Sequence, residues 1–81
     1  MNIKISHDAS KYLKRLDRNT STRIVNSIEE LPKGDVKRLQ GSTKYRLRVG
    51  NYRAIFSKNG ENILIESVLP RGQVYKQGRL L

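Results

Sequence analysis

Residues 45–56 read Tyr45-Arg46-Leu47-Arg48-Val49-Gly50-Asn51-Tyr52-Arg53-Ala54-Ile55-Phe56, and basic and apolar side chains alternate as far as Val49. This period of two predicts a β-strand with one buried face. Gly50 and Asn51 both tolerate a positive φ, so they predict a two-residue hairpin turn. The chain from Tyr52 to Ser57 is then the returning strand.

The hairpin turn also determines which side chains face each other. A two-residue loop places Arg48 opposite Arg53, and a four-residue loop keeps that pair. One face is then apolar and is expected to form core: Tyr45, Leu47, Val49, Tyr52, Ala54 and Phe56. The other face carries three arginines: Arg46, Arg48 and Arg53. Like charges placed opposite each other destabilise a sheet, so the arginine face predicts a bound anion.

The rest of the chain completes an α+β domain over residues 1–81. Hydrophobic periodicity predicts a strand over 1–5, two helices after it, and a strand over 63–69. The first helix is expected to be capped by Asp8 or Ser6. The second is expected to begin at Thr20 or Ser21 and to be ended by Pro32 and Gly34. The predicted order is β-α-α-β-β-β. In this architecture an antiparallel sheet packs on a two-helix hairpin.

The charge of the chain indicates a polyanionic partner. Lysine and arginine number 17 and aspartate and glutamate 7, which gives a formal net charge of +10. Residues 36–60 contain no acidic residue and seven basic ones: Lys37, Arg38, Lys44, Arg46, Arg48, Arg53 and Lys58. RNA or DNA is the natural partner for such a segment. The alternative is a surface that only keeps the protein in solution.

Composition excludes several kinds of chemistry. The chain has no cysteine, which rules out disulfides, thiolate metal sites and a cysteine nucleophile. His7 is the single histidine, so a reaction that needs two imidazoles is excluded. No apolar run exceeds three residues, so we expect neither a transmembrane helix nor a signal peptide. We expect instead a soluble intracellular domain.

Two residues near the end of the chain extend the expected site. Arg71 follows Pro70 on a turn after the last strand, and Tyr75 comes four residues later. Both are expected to border the arginine face, where guanidinium groups match phosphate oxygens in pairs. In the alternative interpretation the arginines are splayed in solvent, Glu66 pairs one of them, and Tyr75 is an apolar anchor of the chain end.

Three runs of this sequence resemble one known group of proteins. The runs 37–41 (KRLQG), 45–56 and 69–75 (LPRGQVY) are similar to the RelE/ParE toxin superfamily. The resemblance implies a toxin of a type II toxin–antitoxin pair. Within it, the RelE type implies an mRNA endoribonuclease that cuts in the ribosomal A site.

The resemblance also implies which residues act. The catalytic positions of the family fall on Arg46, Arg48, Arg53, Arg71 and Tyr75. Further RNA contacts are expected from Lys37, Arg38, Lys44 and Lys76. The implied partners are a RelB-like antitoxin, the ribosome and mRNA, in the cytoplasm and without a membrane. No cofactor and no metal ion is implied.

The implied reaction is attack of an RNA 2′-hydroxyl on the neighbouring phosphorus. The RelE prototype has lysines at the positions of Arg46 and Arg48, and an arginine effectively cannot lose its proton to act as a base. Tyr75 is therefore a candidate base, and Glu66 is its rival, although a charge-balancing ion pair also explains Glu66. The chain after Tyr75 is short, so the last helix of the family is expected to be abbreviated or missing.

Two other functions fit the same residues. The first is a ParE-like inhibitor of DNA gyrase that has no nuclease activity. The second is a plain nucleic-acid-binding module. A helix-turn-helix reader would need a polar recognition helix, but residues 20–31 contain a single basic residue, Arg23.

Overall fold

The computed structural model describes residues 2–72 in full and the backbone of residues 75–76 and 79–80. Its elements are β1 (Asn2–Ile5), α1 (His7–Arg15), α2 (Arg18–Glu29), β2 (Asp35–Arg38), β3 (Tyr45–Val49), β4 (Tyr52–Asn59), β5 (Asn62–Pro70), β6 (Tyr75–Lys76) and β7 (Arg79–Leu80). The last two strands pair with each other, so a short antiparallel ladder follows β5.

Both helices begin at a side-chain cap. The Ser6 hydroxyl accepts a hydrogen bond of 3.0 Å from the Ala9 N–H, so Ser6 rather than Asp8 caps α1. The Asp17 carboxylate accepts a hydrogen bond of 3.0 Å from the Thr20 N–H. The predicted start of the second helix at Thr20 or Ser21 was therefore wrong, because Asp17 caps α2 and helical backbone begins at the next residue.

The α+β architecture with two helices is confirmed, and the sheet differs from the prediction in two ways. It has five strands in the order β1-β5-β4-β3-β2, because residues 35–38 form the additional edge strand β2. It is mixed rather than wholly antiparallel, because β1 runs parallel to β5. A parallel pair needs a long crossover, and the intervening helices and strands supply it.

The predicted hairpin register is confirmed. Arg48 pairs with Arg53, Leu47 with Ala54, and the ladder closes at Val49 and Tyr52. The helices cover the apolar face of the sheet, and buried side chains of both layers form the core: Ala9, Leu13, Ile24, Ile28, Leu31, Leu47, Val49, Ala54, Phe56, Ile63, Ile65 and Val68. Side chains alternate across a strand, so the arginines lie on the face away from the helices.

None of the helices among residues 2–72 is long and apolar enough to cross a membrane. Over the same residues, no group of three or more His, Asp and Glu side chains is arranged to hold a metal ion.

Candidate functional site

Three arginines meet in a small polar cleft at the turn end of the β3–β4 hairpin. The cleft has a volume of about 140 Å³ and is lined by Arg48, Gly50, Asn51, Tyr52, Arg53 and Arg71. We call it the arginine cleft. Three of its six lining residues are cationic and none is acidic, so it favours an anion.

The position of Arg71 follows from a backbone contact with the hairpin. Its N–H donates a hydrogen bond of 2.6 Å to the carbonyl oxygen of Asn51. The preceding residue, Pro70, is paired with Tyr52 at the end of the β4–β5 ladder. The turn after β5 is thus held against the turn of the hairpin, and this contact brings an arginine remote in sequence to Arg48 and Arg53.

Arg46 lies on the same face but does not line the arginine cleft. Its side chain is 17% exposed, and its Nη2 atom is 3.6 Å from Oδ1 of Asp35. Asp35 belongs to β2, where it lies directly opposite Arg48. The arginine face therefore has a counter-ion. It was not predicted, because Val36 is the single apolar residue in 35–38 and gives no strand pattern.

Glu66 pairs with a lysine and not with an arginine. Its carboxylate forms an ion pair with the Lys44 ammonium, and both side chains are about three-quarters buried. A β-bulge explains its place in the sheet, because the partners of Ile55 and Phe56 are Ser67 and Ile65, which leaves Glu66 without a partner in the ladder. The ion pair agrees with the charge-balancing interpretation of Glu66.

The remaining predicted residues fall into three groups. Lys37 lies opposite Arg46 on β2 and therefore shares the arginine face. Arg38 is opposite Tyr45 on the other face, and its Nε donates a hydrogen bond of 3.1 Å to the carbonyl oxygen of Ser42. Tyr75 and Lys76 form the backbone of β6, and the predicted roles of their side chains lie outside the described residues.

The arginine cleft can hold a tetrahedral or trigonal-bipyramidal phosphorus centre. Guanidinium groups remain charged at any working pH and present planar pairs of donors to phosphate oxygens. Arg48 and Arg53 are like charges in directly opposed positions, which costs free energy in the unliganded sheet, and Asp35 opposite Arg48 offsets part of that cost. Such a cost is characteristic of a site that binds or stabilises negative charge.

Comparison with known proteins identifies the family. The model of the family described as ParE toxin of type II toxin-antitoxin system, parDE, matches residues 3–75. This chain belongs to the RelE/ParE toxin superfamily. It is a toxin of the type II toxin–antitoxin class, and the resemblance found in the sequence is confirmed.

Individual relatives agree with the family. Toxin RelE3 of Methanocaldococcus jannaschii is 43% identical over 51 residues, which is 62% of this chain and 57% of the relative, so the match spans little more than half of that protein. RelE in the archaeal RelE–RelB complex of Pyrococcus horikoshii is 32% identical with a TM-score of 0.73, over 90% of this chain and 97% of the other. The RelB–RelE antitoxin–toxin complex of Methanococcus jannaschii gives 32% identity and a TM-score of 0.70, over 83% of this chain and 88% of the other.

Proposed function

We propose that this toxin is an endoribonuclease that cleaves mRNA in the A site of the ribosome, without a metal ion. The observation that carries the proposal is the arginine cleft, in which Arg48, Arg53 and Arg71 converge from two turns that are distant in sequence. Two structural relatives at 32% identity are RelE proteins, which favours the RelE type of activity.

The proposed reaction uses a nucleophile that belongs to the RNA. The ribose 2′-oxygen attacks the adjacent phosphorus, so the 2′-O–P bond forms and the P–O5′ bond breaks. The 2′-hydroxyl proton passes to a base and the 5′-oxygen takes up a proton. The products are a 2′,3′-cyclic phosphate and a 5′-hydroxyl end.

The cations of the arginine cleft stabilise the charge that grows during this reaction. Arg48 and Arg53 hold the non-bridging phosphoryl oxygens, and Arg71 lies at the leaving 5′-oxygen. Preorganised cations supply most of the catalysis in phosphoryl transfer. Arg46 acts beside the cleft, where an RNA phosphate replaces its partner Asp35 on binding.

The proposed site has no good group for the proton transfers, and this is the reason that a ribosome is proposed to take part. A guanidinium does not release its proton, so among the proposed residues Tyr75 is assigned as the base, a role that positive charges beside its hydroxyl would favour. A site without an acid–base pair that titrates near neutral pH is slow on free RNA. The ribosome supplies the missing orientation of the 2′-hydroxyl and the phosphorus.

The second proposed partner is an antitoxin. RelE in the two archaeal complexes is bound to RelB. In this protein an acidic or amphipathic segment of a RelB-like antitoxin would cover the cationic face and block RNA. Since mRNA and ribosomes are the targets, the proposed location is the cytoplasm.

The experiment that tests the proposal maps mRNA 5′ ends in a translating extract. We expect cuts in phase with codons, products with 5′-hydroxyl ends, and no such cuts when ribosomes are removed. Tyr75→Phe tests the proposed base in the same assay and is expected to lower the rate of cleavage. Intact mRNA in the presence of the wild-type toxin would contradict the proposal.

A second candidate function is inhibition of DNA gyrase. The observation that favours it is the match of the ParE toxin family model to residues 3–75. A supercoiling assay with purified gyrase distinguishes the two functions. Blocked supercoiling together with intact mRNA would establish the gyrase inhibitor, whereas normal supercoiling with codon-phased cuts would establish the nuclease.

A further inference from the structure

A fourth guanidinium approaches the hairpin turn from the helical side. Arg23 of α2 lies so close to Gly50 that a Cβ atom added at that glycine would be 3.0 Å from Nη2 and 3.4 Å from Cζ of the arginine. Gly50 has a φ of +56°, so its lack of a side chain serves both the turn and the close approach. This contact was not predicted, because α2 and the hairpin are distant along the chain.

The charge of Arg23 is not balanced by its own helix. The positions three and four residues away hold Asn19, Thr20, Asn26 and Ser27, none of which is acidic. The arginine is exposed. Within residues 2–72, the arginine that forms an ion pair with a carboxylate is Arg46, and not Arg23. A cation is therefore directed to solvent beside the hairpin turn.

Arg23 lines a second cleft that adjoins the arginine cleft. This helix-side cleft has a volume of about 100 Å³ and is lined by Thr20, Arg23, Ile24, Val49, Asn51 and Tyr52. Asn51 and Tyr52 line both clefts. The two clefts thus meet at the turn, and positive charge continues from the arginine face around the turn to the helical layer.

We propose that Arg23 binds an RNA phosphate that flanks the cleaved linkage, so that the RNA strand passes over the Gly50-Asn51 turn. This inference rests on the proposed function, because it takes the arginine cleft as the position of the cleaved phosphate. One strand then contacts five guanidinium groups: three in the arginine cleft, Arg46 beside it, and Arg23 beyond the turn. Arg23 contributes affinity and register and touches none of the reacting atoms.

The salt dependence of RNA binding tests this proposal without any cleavage. The ligand is a single-stranded RNA of about eight nucleotides, a length within the range bound by small single-strand sites. Its 2′-O-methyl groups prevent attack by the 2′-oxygen. Each phosphate contact contributes about 0.7 to the slope of log K against log salt for single strands. We expect Arg23→Gln to reduce the magnitude of this negative slope by about 0.7, and Arg23→Lys to restore it.

A matched control is Arg18→Gln on the same helix. Arg18 is exposed and lies five residues before Arg23, which places it about 140° away around the helix axis. We expect its slope to equal that of the wild type. An unchanged slope in Arg23→Gln, an equal fall in Arg18→Gln, or a wild-type protein that does not bind this RNA would each overturn the assignment.

Failure of the proposed function gives a different result. If the wild-type toxin binds the RNA with the predicted Arg23 dependence but produces no cuts in a translating extract, the nuclease proposal is wrong and Arg23 remains a contact to RNA phosphate, with no cleaved linkage beside it. If cuts occur and the Arg23→Gln slope is unchanged, the nuclease proposal stands and Arg23 has no part in it.

Discussion

Arg48 and Arg53 lie directly opposite each other in the β3–β4 ladder and line the same cleft. Like charges at opposed positions destabilise a sheet, by an amount comparable to the gain from an opposite-charge pair. The protein keeps them there with a third arginine, Arg71, held nearby by its backbone hydrogen bond to Asn51. The cleft is therefore built for negative charge at some cost to the stability of the free protein.

The first prediction concerns that cost. Arg53→Gln keeps part of the side-chain stem and removes the repulsion, so we expect the free energy of unfolding to rise by about 0.5 kcal/mol. Thermal or urea unfolding measures the change. The matched control is Lys58→Gln on the same strand. Lys58 lies opposite the uncharged Ile63, so this substitution relieves no such repulsion. A less stable Arg53→Gln protein, or an equal gain in Lys58→Gln, would argue against stored repulsion.

The hairpin was predictable because its information is local. The alternation up to Val49 and the Gly50-Asn51 turn together fix which residues are opposed, and a one-residue slip would expose the whole apolar face. Two features of the sheet had no such local signal. The strand over 35–38 has one apolar side chain, and nothing near residues 2–5 indicates that their partner is β5 in parallel orientation.

The candidate site was likewise predictable only where its residues follow from the hairpin register or from nearby sequence. The register placed Arg48 and Arg53 together, and the position of Arg71 after Pro70 placed it near them. The role of Asp35 as the partner of Arg46 could not be foreseen without β2. The approach of Arg23 to Gly50 depends on how α2 packs over the sheet, which periodicity does not specify.

The second prediction distinguishes a structural Glu66 from a catalytic one. Its carboxylate is engaged by Lys44 and does not line the arginine cleft, so we expect Glu66→Gln to retain growth arrest. The free energy of unfolding should fall by about 1 kcal/mol, and Lys44→Met should lower it by a similar amount. Loss of growth arrest in a folded Glu66→Gln protein would instead support Glu66 as the base.

The third prediction uses two glycines with nearly the same backbone. Gly50 and Gly60 have φ values of +56° and +63°, but no atom lies within 4 Å of a Cβ added at Gly60. Gly60→Ala should therefore cost about 1 kcal/mol from the left-handed backbone alone. Gly50→Ala should cost about the same, because the Arg23 guanidinium that the new methyl group meets is the exposed end of a flexible side chain and can move aside.

A double variant isolates that contact. We expect Arg23→Ala to leave the destabilisation by Gly50→Ala unchanged to within about 0.5 kcal/mol, measured by urea unfolding. A destabilisation by Gly50→Ala that falls by more than this in the Arg23→Ala background would mean that the guanidinium is held against the turn and cannot move aside.

The fourth prediction concerns pH and the cap of α2. Hydrogen bonds from the side chain and backbone of Thr20 lower the pKa of Asp17 below its ordinary value. The carboxylate therefore stabilises the fold above its unfolded pKa, and this contribution is lost as the pH falls through the folded pKa. Asp17→Ala should melt at a lower temperature than the wild type at neutral pH, and the difference should shrink on acidification. A difference that does not change between neutral and acidic pH would contradict this role.

The most direct test of the central claim is growth after induction of Arg71→Ala. Arg71 is exposed on its turn and its hydrogen bond to Asn51 uses the backbone, so alanine removes the cation while the fold is kept. We predict that cells expressing Arg71→Ala or Arg53→Ala grow, whereas cells expressing the control Lys58→Ala arrest as with the wild type. Full growth arrest by both arginine variants would contradict the claim that these converging cations carry the activity of the toxin.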